Sequence, residues 1–297
     1  MSATDPPRAS RLRWLVQIVG FGIGVGLLAW CARVALSDSH RAQLERLEDA
    51  SAGAIAGLLG LSVAILLING LAFWIMLRPV RRLEPVGVIA TSCIATFLAL
   101  LPFKLSIALR VLVHHRRDGV PLMLIGGWFG ALGVVFIGTI ALVAGIAYAR
   151  ARFSLDTGAT VGAGLGAGIL GVIGLLLAAR VFRADSGRER MIALAERMAI
   201  GPLGRPVGLI VRSRSFEHLH RAFDMLSHPG AVVGSVVIRL LDVALQSVRF
   251  TLAGAVVGVS LDVESAVLLA CAHASIGVVS PFGTLGTREA GTLGLAA

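Results

Sequence analysis

Four stretches of this chain run from one polar boundary to the next with almost no charge: Trp14 to Leu36, Ser51 to Leu77, Val120 to Tyr148 and Thr157 to Ala179. A helix needs about 20 apolar residues to cross a hydrocarbon core, so stretches of this length constrain the fold more than any motif does. Of the 297 residues, 56% are hydrophobic and 15% charged, a balance that a water-soluble globule could not hide from solvent. The expected fold is all-α, a polytopic bundle of transmembrane helices. An outer-membrane barrel fits poorly, because barrels show short alternating segments and aromatic girdles, and this sequence has neither.

The formal net charge of +10 comes from 26 arginines and one lysine, Lys104. The arginines mainly flank the apolar runs. That is the pattern of the positive-inside rule and of contact with anionic lipid heads, so no nucleic-acid partner is expected. Arg8, Arg11 and Arg13 precede the first run, which exceeds the roughly 7–15 residues of a cleavable signal core; an uncleaved anchor with a cytoplasmic N-terminus follows. Between the first two runs, Asp38, Glu45, Glu48 and Asp49 outnumber Arg41 and Arg46, which places that link outside.

The stretch Val86 to Val113 is interrupted by Pro102 and carries Lys104 and Arg110. If it crossed, the link from Arg180 to Gly230, with nine arginines, would lie outside against the charge bias. A re-entrant hairpin turning at Pro102 removes the conflict. The expected layout is one membrane domain over 1–297: a cytoplasmic tail 1–13, a first half 14–179 with the re-entrant run 86–113, a cytoplasmic link 180–230, and a second half 231–297 with a second re-entrant run 263–297. Within the link, Ser186 to Ile200 and Ser215 to Ser227 have apolar residues at helical spacing, as interfacial helices do.

Several motifs have a structural reading that outweighs a chemical one. Gly166, Gly168 and Gly171 match the G-x-G-x-x-G dinucleotide fingerprint, but they lie inside an apolar run without the strand that fingerprint requires. With Gly162 and Gly164 they give small residues at four-residue spacing, which brings helices close, either within the chain or between copies in a homo-oligomer. Cys31, Cys93 and Cys271 share no C-x-x-C spacing and read as packed free thiols. His218, His220 and His228 lack further ligands, so neither a metal nor another cofactor is expected. No Ser/His/Asp set or H-E-x-x-H occurs in the apolar runs, and His273, the one histidine in such a run, reads as packed; the chain is not expected to be an enzyme.

One apolar run, Ala231 to Val257, carries charges. On a wheel of about 100° per residue with Arg239 at 0°, Gln246, Ser235, Asp242 and Arg249 all fall within an arc of about 80°. Each charge facing lipid would cost roughly 2.5–3.5 kcal/mol, so the stripe must face protein or water. One carboxylate cannot neutralise two guanidinium groups, which favours an anion site over a purely internal ion cluster.

The stretch Val263 to Ser280 leads into SPFGTLGTREAG much as Val86 to Leu101 leads into LPFKLSIALRVL. In both, Pro-Phe is followed by an arginine, Pro102 by Arg110 and Pro281 by Arg288, as in an inverted repeat. At these residues the chain resembles the transmembrane region of lysylphosphatidylglycerol synthases, a flippase-like family of integral membrane proteins. The family's C-terminal signature is similar to Pro281, Leu285-Gly286 and Arg288-Glu289, with hairpin turns at Pro102, Pro281, Gly283 and Gly286. Its earlier motif maps onto Pro102, Ser106, Ile107 and Arg110, with Ser106 and Ile107 in place of its Gly and Glu. The helix from Leu241-Asp242 to Arg249 and the end of the second run, Trp74 to Arg78, also look familial.

The resemblance implies a protein of the bacterial inner membrane that binds or moves a lipid with a charged head group, a membrane phospholipid or a polyprenyl phosphate. It does not imply lipid synthesis, which in bifunctional members belongs to a separate soluble domain. The expected lipid- or anion-binding residues are Lys104, Arg110, Arg239, Asp242, Gln246, Arg249, Arg288 and Glu289. Two other readings use the same residues: a secondary transporter for a small anionic solute, and a non-transporting scaffold.

Overall fold

A helix leaves its first amides unpaired, and this chain supplies a side-chain acceptor at three helix starts. Ser51 Oγ accepts from the Ala54 N–H at 3.2 Å, Asp156 Oδ1 from Ala159 at 2.8 Å and Asp262 Oδ1 from Ser265 at 2.9 Å. Each acceptor stands three residues before the amide it caps and opens an apolar helix.

The computed structural model describes residues 8–37, 41–100, 105–183, 189, 193, 197 and 222–279. They form α1 (Arg8–Ala35), α2 (Arg41–Glu48), α3 (Ala52–Leu77), α4 (Pro85–Leu98), α5 (Leu105–Arg116), α6 (Leu122–Phe153), α7 (Thr157–Arg183), α8 (Ala222–Ser227), α9 (Pro229–Val256) and α10 (Val263–Val279). No strand occurs among the described residues.

Among the described residues, four helices are long and apolar enough to cross a membrane: α3, α6, the Thr157–Arg180 portion of α7, and α9. Three correspond to uninterrupted apolar runs, and the fourth is the helix with the charged stripe. The first run lies in α1, where Phe21–Val34 forms a shorter apolar segment. In α7 the most apolar window, of mean hydropathy 2.2, has no buried residue; Leu165, Ile169, Leu170 and Leu177 are all exposed. Lipid tails, which cost such side chains nothing, are the environment this surface fits.

The stretch 86–113 is two helices, not one. With 14 and 12 residues, α4 and α5 are about 21 and 18 Å long at 1.5 Å per residue, each short of the roughly 30 Å hydrocarbon core. Arg110 Nη2 reaches the Ser92 carbonyl at 3.5 Å, and the Arg117 guanidinium lies 2.9 Å from where a Cβ on Gly87 would stand. Arg81 donates to the carbonyls of Gly119 at 2.9 Å and Asp118 at 2.6 Å. The sequence midpoints of 92 with 110, 87 with 117 and 81 with 119 are 101, 102 and 100. Contacts that stay centred on one position describe an antiparallel hairpin whose two feet meet. Pro102 and Lys104, expected at its turn, lie outside the described residues.

The chain divides into two compact units, one of Ala64–Cys93 and Arg110–Ala244, the other of Met1–Val63, Ile94–Leu109 and Leu245–Ala297. The first is built around Trp128, which is fully buried, donates Nε1–H to the Phe73 carbonyl at 2.9 Å and meets the Phe73 ring edge-on at 5.5 Å. Gly70 lets α4 approach α3, since a Cβ there would stand 2.8 Å from the Ile89 Cα. Gly164 and Gly168 receive Ile146 and Leu142 of α6; of the three glycines that mimic a dinucleotide fingerprint, Gly168 thus packs against a neighbouring helix, while Gly166 and Gly171 face open space, and all three lie in mid-helix.

Most of the link 180–230 lies outside the described residues. Its last turn, α8, packs on α6 and α7 with Met225 and Leu226 buried. Leu226, expected at a lipid interface, is therefore taken up by the protein core, because the two side chains together supply enough apolar surface to seat the turn. In the second unit, Leu252 of α9 packs over Gly57 of α3, and the Phe250 ring meets His273 of α10 edge-on at 5.6 Å. Of the three thiols expected to be packed, Cys271 is buried and Cys31 and Cys93 are half-buried, and all three are free.

Candidate functional site

Helix α9 turns its polar side inward. Val233, Val237, Leu240, Leu241 and Val248 are exposed, while Ser235 is fully buried and Arg239 and Asp242 are each 6% exposed. The two groups occupy opposite sides of a 100° wheel, which is the reverse of a soluble amphipathic helix. With lipid outside, this orientation avoids the insertion cost of the charges.

Three side chains form the centre of the site. Arg239 Nη1 donates to Asp242 Oδ2 at 3.1 Å, one helical turn away, and to Asn69 Oδ1 on α3 at 2.7 Å. Asn69 Nδ2 donates to its own helix at the Ile65 carbonyl, 3.1 Å, and points at Asp242 Oδ1, 3.5 Å away. One amide thus serves both ends of a buried ion pair, which Coulomb attraction alone would leave short of hydrogen bonds. The Arg239 guanidinium also lies 5.2 Å from the centre of the Phe136 ring on α6.

Arg110, half-buried, is a second cation beside this centre. Its guanidinium sits 4.4 Å from the centre of the Phe73 ring, on α3 one turn beyond Asn69, and its hydrogen bond to Ser92 is 3.5 Å long. Arg110 and Arg239 are close enough to repel each other electrostatically. The Nε atoms of both arginines are buried and have no hydrogen-bond partner among the described residues. Within the cluster of described residues Asn69, Arg110, Arg239 and Asp242, two guanidinium groups thus stand against one carboxylate, an arrangement suited to an oxyanion, since guanidinium forks match carboxylate and phosphate oxygens.

A histidine at the foot of α5 is buried. His114 is fully enclosed, meets Trp128 edge-on at 5.0 Å and has Nδ1 2.7 Å from Asp118 Oδ2. Burial pushes the His114 imidazole below its ordinary pKa, against the opposing pull of Asp118. Burial would raise the Asp118 carboxyl, but hydrogen bonds from Arg117, 2.7 Å, and from His114 outweigh it and hold it below the usual carboxylate range. At neutral pH the pair is a neutral imidazole donating Nδ1–H to a carboxylate, with His114 Nε2 buried and without a partner among the described residues.

Of the eight side chains expected to bind anion or lipid, the structure brings Arg110, Arg239 and Asp242 together. Gln246 and Arg249 lie further along α9 in the other compact unit; Gln246 Oε1 is buried, and the Arg249 guanidinium lies 5.7 Å from the Phe250 ring centre. Lys104, Arg288 and Glu289, with the turn residues Pro102, Pro281, Gly283 and Gly286, lie outside the described residues. Sequence reasoning missed Asn69, although a signal existed: it is the only asparagine in the chain and sits in an otherwise apolar run. It also passed over Phe73 and Phe136, whose role as cation platforms depends on tertiary contact. No group of three or more His, Cys, Asp or Glu suited to a metal ion occurs among the described residues.

No family model, no curated protein and no solved structure matches the chain.

Proposed function

We propose that this protein is a flippase-like integral membrane protein that binds a lipid through its phosphate-bearing head group and moves it between leaflets, with Arg110 and Arg239 as the phosphate ligands. The observation that carries the reading is Arg110: a half-buried cation with a buried, unpartnered Nε, beside a second cation and held by an aromatic ring and one long hydrogen bond. A guanidinium has five N–H donors, and a phosphate would satisfy those that now lack an acceptor. Asp242 and Asn69 hold Arg239 in place without cancelling the surplus charge.

The hairpin of α4 and α5 supports a re-entrant placement. Its feet meet at Arg81 and Asp118, next to Arg82, Arg116 and Arg117, a concentration of positive charge expected on the cytoplasmic side of an inner membrane. In this reading the hairpin carries Arg110 into the bilayer beside Arg239 of α9. The resemblance to the lysylphosphatidylglycerol synthase transmembrane region points the same way.

Native mass spectrometry of the detergent-purified protein tests the reading. A retained phospholipid or polyprenyl phosphate is expected. A lipid-free protein stabilised by a soluble anion and indifferent to anionic lipid would replace it with a solute-transport function.

A further inference from the structure

Arg110, His114 and Asp118 follow one another at four-residue spacing from α5 into the loop beyond it, so the first two lie on one helix face. Arg110 lies over Phe73 at 4.4 Å, Phe73 meets Trp128 at 5.5 Å, and Trp128 meets His114 at 5.0 Å. The two residues therefore each rest on one ring of a contacting aromatic pair.

We infer that His114 is a proton-binding site coupled to the anion site at Arg110, so that a phosphate head group and a proton bind together. This rests on the function proposed above. The proton goes to Nε2, which is buried and has no acceptor duty among the described residues. Protonation there creates a third positive charge beside Arg110 and Arg117, favoured only by Asp118. An anion on Arg110 cancels part of that repulsion, and because linkage is reciprocal the proton tightens the anion by the same factor.

The charged groups around His114 define the coupling. From its own segment these are Arg110, Arg117 and Asp118. His115 is turned away, its Nδ1 2.9 Å from the Val120 carbonyl. From the link between α3 and α4, Arg81 grips the backbone carbonyls of Asp118 and Gly119 and fixes the loop. From the same link, Glu84 acts on Arg117. From α6, the Trp128 ring faces the imidazole. Burial lowers the proton affinity of His114 in the resting protein, so the group is mostly neutral near pH 7 and has a proton to gain. The arrangement would let uptake of a proton accompany loading of an anionic head group, with release of both favoured where the pH is higher.

The test titrates phosphatidylglycerol, whose phosphodiester keeps one charge between pH 5 and 8, into the full chain in detergent, with phosphatidylcholine as the comparison. The parent is expected to bind phosphatidylglycerol about tenfold more tightly at pH 5 than at pH 8, within the usual range of coupling between two sites. His114→Gln is expected to bind it with an affinity that does not vary with pH. Proton uptake by the parent on adding phosphatidylglycerol in weakly buffered solution at pH 6 gives a readout that needs no variant. Equal parental affinity at both pH values, pH dependence retained in His114→Gln, or no proton uptake would overturn the coupling. The anion site itself would survive those results if phosphatidylglycerol still outcompeted phosphatidylcholine and Arg110→Gln abolished the preference. If the parent preferred neither lipid at either pH, the anion site and the coupling would fall together.

Discussion

Asn69 Oδ1 accepts a 2.7 Å hydrogen bond from Arg239 Nη1 across 170 positions of sequence, joining α3 to the charged face of α9. Without that amide, the Arg239–Asp242 pair would be a buried ion pair with unmet hydrogen-bonding capacity, an arrangement whose desolvation penalty rivals its attraction. Asn69→Leu is therefore expected to destabilise the protein by about 1.5–3 kcal/mol, the cost of removing a hydrogen bond to a charged group. Asp242→Asn should cost more, about 3–5 kcal/mol, because it leaves the buried Arg239 guanidinium, with Arg110 close by, without its ion-pair partner. Thermal unfolding in detergent ranks the two.

Close approach of α3 and α4 depends on Gly70. Its Cβ would stand 2.8 Å from the Ile89 backbone, so Gly70→Ala forces the helices apart and is expected to cost about 1–3 kcal/mol. Gly166 has nothing within 4 Å of the corresponding position, and Gly166→Ala should leave stability within about 0.5 kcal/mol of the parent or raise it slightly. Melting temperatures of the two variants, measured side by side, check the difference.

How much of this was legible beforehand follows the physics of each feature. The inward face of α9 could be read from a 100° wheel and the insertion cost of charge, and the structure places its polar side as that arithmetic requires. The break at Pro102 was visible as a proline amid charge; that α4 and α5 return beside one another needed the contacts of Arg81, Arg110 and Arg117. Asn69 went unread because one amide in an apolar helix has no periodicity. Phe73 and Phe136 look like any lipid-facing aromatic until a guanidinium is seen over them. His114 and Asp118 stand at helical spacing, yet nothing in the sequence marks the histidine as buried, since its burial depends on the Trp128 ring arriving from another helix.

Stability should fall on acidification in two stages. His114 has a lowered pKa in the folded protein, so its contribution is complete above its ordinary value of 6.5 and is lost as pH falls through the folded value. Asp118 is also lowered, and its contribution is complete above 3.8 and lost below. Chemical denaturation from pH 8 to 3 should show both stages in the parent, and only the more acidic one in His114→Gln. A flat profile between pH 8 and 5 in the parent would show that burial of the imidazole has no energetic weight.

The hairpin predicts which side of the membrane its feet occupy. With the native cysteines replaced by serine, single cysteines at the exposed positions Arg82 and Arg116 should both resist an impermeant thiol reagent in intact spheroplasts, while one at Leu155 should react. Opposite labelling of Arg82 and Arg116 would mean that the segment between them crosses the membrane.

The central claim is that Arg110 is held in the bilayer to receive a phosphate. The most direct measurement is thermal stabilisation of the parent and of Arg110→Gln by phosphatidylglycerol and by phosphatidylcholine. The account predicts that phosphatidylglycerol alone stabilises the parent strongly, and that Arg110→Gln, folded and at least as stable as the parent without lipid because one uncompensated half-buried charge is gone, loses that response. Equal stabilisation by both lipids, or an Arg110→Gln protein that responds to phosphatidylglycerol as the parent does, would contradict it.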